Sequence, residues 1–269
     1  MERFNFDANT KDEAVSYLHH RALQLLKFDV SLKEIIVKDE CVIAIFEYDG
    51  KEYQAIYLLF DYRNKGLYPK IQQELNLPVL TSKECLVADY LEKKQIPYIE
   101  FELEDSVEYK LIAQYYGNQK AKRSGVYLIN HIDEGLAILH WIGATTIAQR
   151  AYCLHPLLQS DEALIENYMT NYENIDPAVL IATMEYRSVA NEYLSKRKIQ
   201  SIDEIRLSPL KDVNDMLIAD KIQNYKDFEL YHLNTHERSD ALVEYFENWL
   251  RRLGVQELYQ EYKIRLQIK

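Results

Sequence analysis

Among the 269 residues of this chain, those best suited to chemistry are two histidines and an aspartate. His131 and His155 each lie in a segment whose apolar residues recur at helical spacing, and Asp220 lies in a third such segment, Met216–Phe228. Two imidazoles and a carboxylate suit a borderline divalent ion such as Mn, Fe or Zn. Carried on separate helices of one bundle, they can meet at a metal ion or around an anionic ligand. Other polar residues read less sharply. His232 and His236 stand four apart, a zinc spacing on a helix, but Leu233-Asn234-Thr235 reads as a loop and N-cap. His19-His20 reads as a solvated helix face. Glu185, Arg187 and Asn191 read either as a polar cluster facing the same cavity or as surface charge.

Two kinds of segment must position these residues. In the first part, Asp12–Leu26 has helical spacing. Strand-like runs follow at Glu34–Val37, Cys41–Tyr48 and Glu52–Phe60, with Asp49-Gly50 marking a hairpin. A turn at Asp61–Ile71, a short helix, a strand at Leu77–Leu80, a helix at Cys85–Lys94 and a strand at Pro97–Leu103 complete it. From about Val107 the strand signals stop. Helices are predicted at Val107–Tyr116, Leu128–Ile142, Thr145–Leu158, Asp161–Tyr172, Pro177–Arg197, Pro209–Phe228, His236–Gly254 and Gln256–Ile268. Asp176-Pro177 fits an N-cap with proline in the first turn. The expected fold class is α+β, with an α/β domain over 1–106 and an all-helical domain over 107–269.

Composition narrows the function. A formal charge of −11 disfavours DNA or RNA backbone binding, which depends on cationic neutralisation. The basic spot Lys120-Ala121-Lys122-Arg123 could still grip one small anion. Seven Gly and 6 Pro suit long helices with few loops. Twenty-two Tyr supply large apolar bodies with polar tips, suited to a pocket or an interface. Cys41, Cys85 and Cys153 lack metal spacing and read as reduced thiols of a cytoplasmic protein. No signal peptide and no membrane-spanning run is visible. Long amphipathic helices permit a homodimer.

Three stretches of the second part resemble the HD superfamily, specifically the hydrolase domain of RelA/SpoT-type alarmone enzymes. Ser124-Gly125-Val126-Tyr127-Leu128-Ile129-Asn130-His131 is similar to that family's Ser-Gly-x-Pro-Tyr-x-x-His. Ala151-Tyr152-Cys153-Leu154-His155 is similar to the run ending in its His-Asp pair. Leu217-Ile218-Ala219-Asp220-Lys221-Ile222-Gln223-Asn224 is similar to its Leu-Ala-Asp-Arg-Leu-His-Asn segment. The resemblance implies that His131, His155 and Asp220 are three of four metal ligands. It implies that Lys122, Arg123 and Ser124 lie near a nucleotide's base or phosphates, and that Asn224 helps hold the nucleotide. The fourth ligand's position is Pro156, and the family's water-orienting Glu-Asp pair falls on Gln159 and Ser160, neither of which acts as a base near neutral pH. Gln159 is thus the candidate catalytic position of an eroded site.

The first part resembles the core of the GNAT acyltransferases. Arg63-Asn64-Lys65-Gly66-Leu67-Tyr68 sits where that family holds the pyrophosphate of acyl-CoA on a glycine turn and a helix N-terminus. The resemblance makes Arg63 and Gly66 ligand-binding residues and Tyr90 the acid that protonates the departing thiolate. Tyr68 departs from the family's small residue. Three expectations follow: a nucleotide or small phosphorylated molecule handled in an HD-like pocket, acyl-CoA-dependent acylation of a nucleotide or nucleoside amine, or a non-catalytic nucleotide sensor.

Overall fold

The computed structural model describes residues 9–63, 65–82, 87–101, 106–122, 124–167 and 174–267. The chain is α+β and divides into two compact units, Met1–Glu104 with Ile268–Lys269, and Asp105–Gln267.

The first unit opens with α1, Lys11–Leu25. Thr10 caps it, and Glu13 reaches back to the Thr10 backbone, closing a capping box. Strands β1 (Ser31–Val37), β2 (Cys41–Tyr48) and β3 (Lys51–Leu58) form an antiparallel meander. Asp49 and Gly50 both take positive φ, 50° and 69°, the geometry a two-residue hairpin between twisted strands requires. After α2 (Tyr68–Leu75), β4 (Val79–Ser82) runs parallel to β3; after α3 (Ala88–Lys93), β5 (Tyr98–Phe101) runs parallel to β4. Sheet order is β1-β2-β3-β4-β5. Strand β2 is buried on both faces from Cys41 to Phe46. Val42, Ala44 and Phe46 pack with Ala14, Leu18, Ala22 and Leu25 of α1, while Cys41, Ile43 and Ile45 pack with Ile71 of α2. Buried Gln54 on β3 donates to the carbonyls of Gln72 and Leu77, 2.8 Å each, and so ties the crossover to the sheet.

One expectation fails in this unit. His20 is buried rather than solvated, at 3% exposure. The buried arc of α1 widens toward its end to take in His20, Gln24 and all of residues 22–26, so the narrow apolar stripe understated it.

The second unit holds α4 (Val107–Tyr116), α5 (Asn130–Trp141), α6 (Thr146–Leu158), α7 (Asp161–Asn167), α8 (Pro177–Glu192), α9 (Lys211–Tyr231), α10 (Ser239–Leu253) and α11 (Gln256–Leu266). Thr145 caps α6 and Asp176 caps α8, each accepting from a backbone N–H of the first turn. Helix α8 stops five residues short of the predicted end, because Tyr193 turns extended at φ −119° and ψ 100°. Helix α9 runs three residues past its predicted end. Helix α10 starts at Ser239 because His236 and Ser239 close a turn before it. Among the described residues no helix is long and apolar enough to cross a membrane.

Helix α6 lies against α4, α5, α7, α8 and α9. Its Arg150 holds Glu108 of α4 in a two-pronged pair at 3.1 and 2.9 Å, with the Glu108 side chain fully buried. Its Tyr152 lies over Gly135 of α5 so closely that a Cβ there would overlap the phenol. Gly135→Ala should therefore destabilise the helical unit by about 1–3 kcal/mol, the usual penalty of overpacking. Urea denaturation checks this, and a variant as stable as the parent would show that Tyr152 has room to move.

Candidate metal centre

His131 lies in the first turn of α5, His155 in the last turn of α6, and Asp220 midway along α9. The three helices bring these side chains together. The two Nε2 atoms stand 3.3 Å apart, and Asp220 Oδ1 lies 3.7 Å from His131 Nε2 and 3.9 Å from His155 Nε2. Among the described residues these form the one group of three or more such side chains able to hold a metal ion.

The hydrogen bonds around the trio decide what it presents. Gln223 Nε2 donates to Asp227 Oδ2 at 2.8 Å and to Glu134 Oε2 at 3.0 Å, which fixes the amide with its oxygen on the other side. That oxygen accepts from His131 Nδ1 at 2.7 Å. His155 Nδ1 donates to the Tyr152 carbonyl at 2.6 Å. Each Nδ1–H is thereby engaged, so the neutral form of either imidazole turns the lone pair of Nε2 inward. Asp220 accepts from Lys221 Nζ on Oδ2 and from Asn224 Nδ2 on Oδ1, both at 2.7 Å. Two lone pairs and an anionic oxygen face one another with no proton assigned between them. Such a cluster is repulsive by itself and complementary to a cation, so the donors present fit a divalent ion. The N–H bonds on the far side of each ring are of the kind that orient metal-ligating histidines.

Electrostatics agree with a neutral His155 beside a charged carboxylate. Burial, helped by His131, pushes His155 down to about 3. Burial would raise Asp220, but the Lys221 ammonium beside it holds it at about 2. Lys221 itself lies 5.6 Å from the Tyr245 ring centre and 5.3 Å from that of Trp249. Behind Gln223, Lys226 bonds both Glu134 oxygens at 2.7 and 2.6 Å; its ammonium is favoured by Glu134 and Asp227 against the opposing effect of burial.

The trio lies on the wall of a cavity of about 440 Å³, which Tyr116, Ser124, Tyr127, Gln159 and Asn224 also line. Of the predicted ligand-binding residues, Ser124 and Asn224 reach this cavity, though the Asn224 amide is engaged by Asp220. Lys122 is exposed and is not among the cavity's lining, and Arg123 lies outside the described residues. Gln159 borders the cavity, while Ser160 caps α7 by accepting from Ala163 N, and Asp161 points outward to pair with Arg187. Glu185 pairs with Arg206, and Asn191 donates to the Gln159 carbonyl, so Glu185, Arg187 and Asn191 have separate partners. His236 accepts from the Arg238 backbone in the turn after α9, away from any helical chelating face.

Sequence reading missed Glu134, Tyr152, Gln223 and Lys226. Spacing held part of the signal: Gln223, Asn224 and Asp227 follow Asp220 at three, four and seven residues, one face of a helix.

In the first unit, Arg63 and Tyr68 line a second cavity of about 360 Å³, with Tyr17 and Arg21 of α1 and residues of β3 and β4. Arg63 donates to the Tyr57 hydroxyl at 2.6 Å. Gly66 takes φ +63°, and Tyr90 meets Tyr68 edge-on at 6.0 Å; neither Gly66 nor Tyr90 is among that lining. Asn64 and Cys85 lie outside the described residues. Compared with protein-family models, curated proteins and solved structures, the chain matches none.

In chelator-treated protein the buried imidazole makes a pH prediction. Unfolded His155 binds a proton below about pH 6.5, whereas in the fold it stays neutral down to about 3. The unfolded state then holds the extra proton, so stability should fall as pH drops from about 6.5 toward 3. Asp220, held low, adds its own loss only below about pH 4. Urea denaturation across this range should show the slope shallower in His155→Gln; an unchanged slope would count against a buried neutral imidazole.

Proposed function

We propose that the helical unit binds one divalent ion, Mn, Fe or Zn, through His131, His155 and Asp220, and holds the phosphate of a nucleotide or small phosphorylated molecule beside it. The supporting observation is the convergence of two Nε2 lone pairs and Asp220 Oδ1 on the wall of a cavity of about 440 Å³. That volume falls within the ~300–1,000 Å³ usual for small-molecule sites. When bound, such an ion supplies Lewis acidity toward a phosphoryl oxygen. The chain's own residues orient the ligating atoms: Gln223 holds His131, and Lys221 and Asn224 hold Asp220. Tyr116 and Tyr127 offer aromatic surface for a base.

Binding is better supported than turnover. Pro156 supplies no ligand, and Gln159 supplies no base. Among the described residues lining the cavity, the carboxylates are Asp220 and Asp227, and Lys226 and Gln223 already hold Asp227. We therefore read the protein as an eroded HD-like site that senses or sequesters its ligand.

A second reading concerns the first unit. Strands β3 and β4 pair at one position, Gln54 with Val79, and the cavity of about 360 Å³ is lined by segments of both, with Arg63 and Tyr68. This favours an acyl-CoA site there.

Thermal-shift measurements separate the two. Nucleoside phosphates with Mn²⁺ should raise the melting temperature, the ligand should be recovered unchanged after long incubation, and His155→Ala should remove the response. No shift with any nucleotide, with or without Mn²⁺, would end the first reading. CoA or acetyl-CoA should stabilise the chain and Arg63→Ala should weaken the effect; no shift at saturating CoA would end the second.

A further inference from the structure

Pro156 is the residue that erodes the expected ligand set, and it also changes the hydrogen bonding of the helix that carries His155. It lies inside α6, three residues before the C-cap Gln159. Proline has no backbone N–H and its ring crowds the carbonyl four residues earlier. In α6 that carbonyl belongs to Tyr152, which therefore lacks the helical donor that every other residue type at 156 would provide. The same carbonyl accepts from His155 Nδ1 at 2.6 Å, a short contact within one helix turn. His155 is buried, at 2% exposure, so its ring must find its partners within the protein. Tyr152 is held in turn, its ring over Gly135 and its hydroxyl donating to the His131 carbonyl at 3.3 Å.

We propose that Pro156 is a positioning residue: by leaving the Tyr152 carbonyl without a helical donor, it reserves that acceptor for His155 Nδ1–H and so aims the His155 Nε2 lone pair at His131 and Asp220. The inference deepens the metal-centre reading and rests on it for its significance, but the hydrogen-bond switch can be measured without metal. Loss of a ligand at position 156 and fixation of a ligand at 155 are then two consequences of one substitution. Gln223 does the corresponding work for His131 from another helix, with its amide held by Glu134 and Asp227.

The switch sets two effects of opposite sign against each other. Pro156→Ala restores a backbone N–H that competes for the Tyr152 carbonyl, so the helix should become more stable while His155 becomes less firmly held. Pro156→Gly restores the same N–H with weaker helix propensity. A merely structural proline would leave the imidazole unaffected in both.

The test uses the full chain labelled with ¹⁵N at histidine. Long-range ¹H–¹⁵N spectra of the metal-free protein report which ring nitrogen carries the proton, and calorimetric titration with Zn²⁺ reports affinity. In the parent, both His131 and His155 should be protonated at Nδ1. In Pro156→Ala and Pro156→Gly, His155 should become a mixture of tautomers, and Zn²⁺ affinity should fall by roughly 10–100-fold, the range for losing a partner that orients a ligand. His155 kept at Nδ1–H in both variants, with Zn²⁺ affinity unchanged, would overturn the inference. A parent that shows the expected tautomers yet binds no Zn²⁺ would overturn the metal reading alone, and the variants' tautomers would then decide the role of Pro156.

Discussion

Two imidazoles whose Nε2 atoms face each other at 3.3 Å, beside a carboxylate oxygen, are the constraint on which the helical unit turns. An arrangement of three electron-pair donors needs outside support to persist. The support comes from groups that cannot easily relax. Gln223 is fixed by two carboxylates, Glu134 by Lys226, and His155 by a carbonyl of its own helix. Buried polar groups are stable only when satisfied, and the charges behind the site satisfy one another.

Helix α6 is where packing and chemistry meet. Its Arg150 ties it to α4, its Tyr152 needs Gly135 to be glycine, and its last turn carries His155 and Pro156. A change at any of these positions would be felt at the imidazoles, because Tyr152 touches both: its ring centre lies 5.6 Å from that of His131 and 4.7 Å from that of His155. The open side faces a cavity with aromatic and polar lining, which suits a ligand combining a ring with a charged group. Among the described residues on that side, Gln159 is an amide and Asp161 turns outward to Arg187, which is what the proposal of holding rather than cleaving rests on.

Local patterning made much of the fold legible. The Asp49-Gly50 hairpin and the Asp176 cap each depend on residues adjacent in the chain, and strand β2 could be read from its own apolar run. Where tertiary contacts decide, patterning was weaker: α8 ends early where Tyr193 turns into the core, and His20 is buried by a wider arc than its apolar stripe indicated. At the site, the three candidate ligands stood out because histidine and aspartate are conspicuous on apolar helices. Their supports did not, since Gln223 meets His131 across 92 residues and Lys226 meets Glu134 across the same separation. Spacing could place Gln223 on the helix face of Asp220, but not pair it with His131. Pro156 was legible as a missing ligand, but its effect on the Tyr152 carbonyl needed the helix and the ring position together.

X-ray absorption at the metal edge, on the full chain loaded with one equivalent of Zn²⁺, tests the central claim most directly. The account predicts scattering from two imidazole rings with Zn–N distances of about 2.0–2.1 Å, reduced to one ring in His155→Ala. A spectrum of hydrated zinc with no imidazole shell in the parent protein would contradict it.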